Sequence, residues 1–255
     1  MRFLLFLPLL SLLAGCSAPT VAPDLLPLEV PAGERPEAWA ADIEQLIAGR
    51  PAVDEPVVFL GSSSIRLWRS LEADMAPIPV INCGFGGSRI FDSVYWLEDL
   101  LHGLEPRALV VFAGTNDITG DRPRDADYMV TMFDALVARL RALGHDVPLL
   151  YIAISPTPSR ERHLDLVLEV NRRIAARCAE DQQLHFVDTA TALLKADGRP
   201  DPKWFVADQL HLNADGYASW TATIRPALED LHEPSMLSSS HETRSFHSHV
   251  KSATK

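Results

Sequence analysis

The sequence is short of several things, and each shortage excludes a class of protein. Positive charge is in deficit: 23 Lys and Arg stand against 34 Asp and Glu, a formal net charge of -11. That balance argues against a surface built to hold nucleic-acid phosphates. Cysteine is scarce, with Cys83 and Cys178 the only two beyond Cys16. They are read as two buried free thiols, although export would permit a disulfide. The apolar run from Phe3 to Leu13 falls short of the roughly 20 residues that a helix needs to span a bilayer. There is no internal repeat. No dense set of metal-ligating side chains stands out, so no cofactor or metal is expected. What remains is an ordinary globular composition, 47% apolar and 22% charged, long enough for one sizeable domain.

The ends differ from the middle. Arg2 and the apolar run from Phe3 have the form of an export signal, and it closes on Leu13-Ala14-Gly15-Cys16. This resembles a bacterial lipoprotein signal, which implies residues 1–16 as the signal with Cys16 lipidated. A diacylglyceryl group with an amide-linked acyl chain would anchor firmly, because stable anchoring takes more than one chain. Ser17, where Asp would mark retention, implies the outer membrane of the bacterial envelope. Residues 17–35 are rich in Pro and Ala and read as a flexible tether. From Glu233 to Lys255 the chain is polar and rich in Ser and His, a composition that predicts disorder. The folded domain is therefore expected over residues 36–232.

Inside that domain, short apolar runs alternate with amphipathic ones. Strands are predicted at Val57–Gly61, Pro79–Asn82, Ala108–Ala113, Leu149–Ile154 and Leu184–Val187. Helices are predicted over Pro36–Ala48, Ile65–Leu71, Ile90–Leu101, Arg124–Leu143 and Glu161–Cys178, and from an Asn213 cap to about Leu231. Strands that alternate with helices imply a parallel sheet covered on both faces. Five of them favour a three-layer α/β/α flavodoxin-like fold over an eight-stranded barrel. Trp68, Phe91 and Trp96 are expected in the core rather than at a substrate platform.

Three turns that follow strands carry the chemistry: Gly61–Ser64, Gly84–Ser88 and Gly114–Asp117. In a parallel sheet these turns share the rim where ligands bind. They offer a hydroxyl, backbone N–H groups and a side-chain amide, and they lack a base. Asp208-Gln209-Leu210-His211 supplies one just before Asn213. One turn of helix-like backbone would bring that carboxylate and imidazole to one face. The carboxylate could then fix the imidazole tautomer, leaving the other ring nitrogen for a serine. His185 and Asp188 could join Asp208 and His211 as metal ligands, but no denser cluster favours that reading. Arg89 and Arg160 are candidates for the mouth of the site.

These blocks, in this order, resemble the SGNH hydrolases, also called the GDSL esterase/lipase family, and they span Phe59 to His211. Gly61-Ser62-Ser63 corresponds to the family's Gly-Asp-Ser, which implies Ser63 as nucleophile. Asn82-Cys83-Gly84-Phe85-Gly86-Gly87 implies the Gly87 N–H as an oxyanion donor beside the Ser63 N–H. Gly114-Thr115-Asn116-Asp117 implies the Asn116 amide as a further donor. Asp208 and His211 complete the triad that the resemblance implies. The spacing is most similar to the platelet-activating-factor acetylhydrolase-like branch. One position departs: Ser62 replaces the family Asp, leaving the register among Ser62, Ser63 and Ser64 to be fixed by structure. The function expected is hydrolysis of carboxylic esters with short acyl groups. Two alternatives are a carbohydrate O-acetylesterase and a lipoprotein that keeps the fold only as a binding module. The partners expected are a small-molecule or glycan ester and the membrane that holds the lipid anchor.

Overall fold

The computed structural model describes residues 29–119 and 123–231. The signal, Cys16, most of the expected tether and the tail from Glu233 lie outside the described residues.

Five strands form a parallel sheet: β1 Val57–Gly61, β2 Val80–Gly84, β3 Ala108–Phe112, β4 Leu149–Ile152 and β5 Leu184–Val187. Their spatial order is β2-β1-β3-β4-β5, with every neighbouring pair parallel. The helices are α1 Ala40–Gly49, α2 Ser63–Arg66, α3 Leu71–Met75, α4 Ile90–Tyr95, α5 Leu97–Leu101, α6 Ala126–Ala142, α7 Leu164–Cys178 and α8 Ala214–Asp230. Successive residues of a strand point to opposite faces, and both faces of β1 are buried. Val58 and Leu60 join a core with α1 and α4 to α7. Val57 and Phe59 join a second core with α3 and α8. In the second core Trp220, fully buried, packs edge-on against Trp68 and Phe112. This is the expected three-layer fold.

Several local expectations change. The predicted helix over Ile90–Leu101 is two helices, broken at Trp96, whose indole N–H donates to the Pro36 carbonyl. The predicted helix over Ile65–Leu71 is also two. α2 starts at Ser63, directly after the β1 turn, and α3 starts at Leu71. The helix before β5 starts at Leu164, because Pro158–His163 forms a 3-10 segment first. Cys83 and Cys178 are buried free thiols, as expected. Burial pushes each of them up to about 12.

The stretch read as tether is fixed to the domain before it ends. Glu34 is buried and accepts from Arg124 at 2.7 Å, Arg89 at 3.3 Å and the Tyr128 hydroxyl at 3.2 Å. Two guanidinium groups thus meet this buried side chain, which would otherwise be costly to remove from water. Among the described residues, no helix is long and apolar enough to cross a membrane.

Candidate active site

The site lies at the carboxyl ends of β1, β2 and β3, where α2 begins. Gly84 makes that geometry possible. A Cβ there would sit 2.7 Å from the Ile65 carbonyl carbon and closer still to the Arg66 backbone nitrogen. The backbone of β2 therefore passes directly beneath α2. Asn82 ties the same two elements together. Its amide donates to the Ile65 carbonyl at 2.7 Å and its oxygen accepts the Gly84 N–H at 2.9 Å.

The structure separates the three serines. Ser62 is fully buried, and its hydroxyl has no hydrogen-bond partner among the described residues. Ser64 is also buried, and its carbonyl accepts the Tyr217 hydroxyl at 2.8 Å. Ser63 alone meets the imidazole: its Oγ lies 2.9 Å from His211 Nε2. On the other side of the ring, His211 Nδ1 lies 2.6 Å from Asp208 Oδ2.

The Asp208–His211 segment is not helical as expected. Gln209 has φ of 56°, and the Val206 N–H donates to the His211 carbonyl at 2.9 Å, so the chain doubles back in a tight loop. The carboxylate itself organises that loop. Asp208 Oδ1 accepts the backbone N–H groups of Leu210 at 2.8 Å and His211 at 2.9 Å, which leaves Oδ2 for the ring. Partial burial works against the charge on Asp208. The backbone and side-chain bonds from His211, with that from Leu210, outweigh it and hold the carboxyl down at about 2. Asn213 caps α8 as expected, accepting the Gly216 N–H at 2.9 Å.

Ser63 lines a cavity of about 420 Å³ together with Gly86, Gly87, Asn116 and His211, and Asp42, Arg66 and Leu210 complete the wall. Gly87 has φ of 84°, a conformation that favours glycine, and turns the β2–α4 loop towards the cavity. The Ser63 N–H is the first of α2 and has no acceptor within its helix. The Asn116 amide is held from both ends. Its nitrogen donates to the Ser88 carbonyl at 2.9 Å, and its oxygen accepts from Arg160 at 3.0 Å. Arg160 also donates to the Thr115 carbonyl at 2.6 Å and to the Thr115 hydroxyl at 2.8 Å. Arg160 is thus turned inward as a clamp, and among the described residues it meets no carboxylate. Burial lowers its pKa. Arg89, the other residue expected at the mouth, turns instead to Glu34.

Asp117, the last residue of its block, does not enter the cavity wall. It is buried, its Oδ2 accepts the Ile90 N–H at 3.1 Å, and its Oδ1 has no partner among the described residues. Burial pushes this carboxyl up to about 7. Asp188 spends its carboxylate on the turn after β5, accepting from Ala190, Thr191 and the Thr191 hydroxyl. Among the described residues, no group of three or more His, Cys, Asp or Glu could hold a metal ion. The sequence reading missed Asp42 and Arg66 in the cavity wall. No spacing rule marks them, because they come from α1 and the far end of α2.

Comparisons with known proteins bear on the fold and the family. No curated protein sequence matches the chain. Solved structures do match it. A candidate platelet activating factor from Streptococcus pneumonia shares 20% identity at a TM-score of 0.62, over 75% of this chain and 92% of that one. A GDSL-like lipase from Bacteroides thetaiotaomicron shares 21% at 0.62, over 77% and 98%. A carbohydrate esterase of family 3 from Talaromyces cellulolyticus shares 18% at 0.55, over 69% and 97%. Likeness at these identities speaks for the fold. A sequence profile of the GDSL-like Lipase/Acylhydrolase family matches residues 46–219, well over half the chain. The chain therefore belongs to the GDSL-like lipase/acylhydrolase family and is a carboxylic ester hydrolase.

Proposed function

We propose that this protein is a serine esterase of short acyl groups, working through Ser63, His211 and Asp208. The observation that carries the reading is the continuous path from Ser63 Oγ to His211 at 2.9 Å and on to Asp208 at 2.6 Å. His211 Nε2 takes the hydroxyl proton as Ser63 Oγ attacks the ester carbonyl carbon. Asp208, held ionised by its hydrogen bonds, stabilises the imidazolium and fixes its tautomer. The carbonyl oxygen becomes an oxyanion that receives N–H bonds from Ser63, Gly87 and Asn116. The C–O bond to the alcohol breaks, and His211 returns the proton to the departing oxygen. Water, giving a proton to His211, then attacks the acyl carbon; the bond to Ser63 Oγ breaks, and His211 passes that proton to Oγ, freeing the acid and Ser63.

Leu210 is the one aliphatic side chain lining the cavity around Ser63, beside polar residues and two glycines. This supports a short acyl group and also favours the second reading, a carbohydrate O-acetylesterase. The block spacing supports a place in the platelet-activating-factor acetylhydrolase-like branch, and the Leu13–Cys16 motif supports a lipid anchor in the outer membrane. The test is hydrolysis of p-nitrophenyl acetate, butyrate and octanoate, beside release of acetate from acetylated xylan. Fastest turnover of acetate esters, lost in Ser63→Ala, is expected. Preference for octanoate would overturn the short-acyl reading. Absence of all hydrolysis would favour the binding module.

A further inference from the structure

Nine of the sixteen arginines among the described residues meet an acid. Arg89, Arg124, Arg139, Arg141, Arg172, Arg173, Arg177, Arg199 and Arg225 each pair with a carboxylate. With net charge -11, acids are abundant enough for this to be the ordinary outcome. Arg66 and Arg69 are among the seven described arginines without an acid partner. Both are exposed, and among the described residues neither side chain makes a hydrogen bond or an ion pair. They are also close in space. Both line a groove of about 400 Å³ along the open edge of β2, between α1 and α3.

A third guanidinium lies in the same groove. Arg50 is bound to the Leu100 and His102 carbonyls and to no acid. The groove's one carboxylate is Glu72, which stays beyond ion-pair distance of all three arginines. An acidic protein thus carries a locally positive groove. Arg66 connects it to the chemistry, because it lines both this groove and the cavity that holds Ser63, Asn116 and His211. Its guanidinium extends over the oxyanion loop, so that a Cβ on Gly86 would sit 2.6 Å from Arg66 Nε. One carboxylate, Asp42, borders the catalytic cavity, and it too is unpaired with Arg66.

We propose that the groove is a substrate subsite for an oxyanion, a carboxylate or a phosphate, carried on the alcohol side of the ester. The inference rests on the short-acyl esterase reading, which leaves the alcohol as the part that extends beyond Ser63. Guanidinium groups match the fork geometry of both oxyanions. Arg66 and Arg69 supply the selective contacts, and Arg50 adds fixed charge at the groove floor. A neutral alcohol of the same shape leaves these groups to water and gains nothing from them.

The test uses two acetate esters that differ in charge alone, 4-acetoxyphenylacetic acid and 4-acetoxyphenylacetamide, with 4-acetoxyphenyl phosphate as the phosphate arm. The expected result is a kcat/KM for the acid about tenfold above that for the amide, roughly one charge-assisted hydrogen bond. Arg66→Gln and Arg69→Gln each reduce this ratio severalfold, and together they bring it to about one. The arm with the larger ratio identifies the oxyanion. High salt narrows the ratio, because the groove is open to solvent. Titration of 4-hydroxyphenylacetate, followed by NMR, reads binding without turnover, and its affinity falls in the double variant. Equal kcat/KM for acid, phosphate and amide overturns the subsite and leaves the esterase reading intact. Hydrolysis of none, with the acid still bound through Arg66 and Arg69, overturns the esterase reading and supports the subsite. Neither hydrolysis nor binding overturns both.

Discussion

Arg160→Ala removes a residue that never touches the reacting atoms. Its guanidinium holds the Asn116 oxygen at 3.0 Å, on the side away from the amide N–H groups. A hydrogen bond from a charged donor contributes about 1.5–3 kcal/mol. Without it, the bond from the Asn116 nitrogen to the Ser88 carbonyl at 2.9 Å is the side-chain restraint that remains. That neutral bond contributes about 0.5–1.5 kcal/mol. The amide then swings, and for part of the time it presents oxygen rather than N–H to the developing oxyanion. The cost in kcat has two bounds. The lower is about tenfold, the equivalent of roughly 1.5 kcal/mol. The upper is the loss of the whole donor in Asn116→Ala, on the order of 10²–10³. The expectation is a fall of roughly 10–10² in kcat for p-nitrophenyl acetate, with KM changed far less. Arg160→Lys recovers little, because an ammonium cannot span Thr115 and Asn116 as the fork does. The assay is a double-mutant cycle. If Arg160 works through Asn116, its removal costs almost nothing further in an Asn116→Ala background. Equal cost in both backgrounds would refute the reasoning.

Two further predictions concern the frame around the site. Asp117 has a folded-state value of about 7, against about 3.9 in an unfolded chain. Between these values the folded state holds a proton that the unfolded state has lost, so its contribution to stability falls as pH rises from about 4 to about 7. Asp117→Asn keeps an acceptor for the Ile90 N–H and removes the titration. Thermal unfolding at pH 5 and pH 8 is expected to show a smaller decline in the variant, and an unchanged decline would count against the buried neutral carboxyl. Gly84→Ala forces a Cβ against the α2 backbone, an overpacking that costs about 1–3 kcal/mol. Denaturant unfolding measures the loss, and kcat should fall with it because α2 carries Ser63; full activity at unchanged stability would contradict the close approach of β2 and α2.

The sheet was legible because its strands are buried on both faces, which leaves uninterrupted apolar runs such as Val57–Leu60. The rim was legible because glycine and polar residues follow each of the first three strands. Ser63, Gly87, Asn116, Asp208 and His211 meet around one cavity and its adjoining loop. What was not legible depends on contacts between distant segments. Nothing local marks Arg160 as a clamp, because its partners Thr115 and Asn116 lie 45 and 44 residues away. Glu34 sits in a Pro- and Ala-rich stretch whose composition predicts a tether. Only the fold brings Arg89, Arg124 and Tyr128 around it. The break at Trp96 is similarly tertiary, since its indole reaches back to Pro36. The Asp208–His211 spacing suited a helical turn, yet the carboxylate accepts two backbone N–H groups and makes a loop instead.

The central claim is that Ser63 is the nucleophile activated by His211. The most direct measurement is reaction with a fluorophosphonate, followed by peptide mapping of the modified residue. The account predicts a single adduct on Ser63, formed rapidly in the wild-type chain, slowly in His211→Ala and not at all in Ser63→Ala. An adduct on Ser62 or Ser64, or a Ser63 adduct formed as fast without His211, would contradict it.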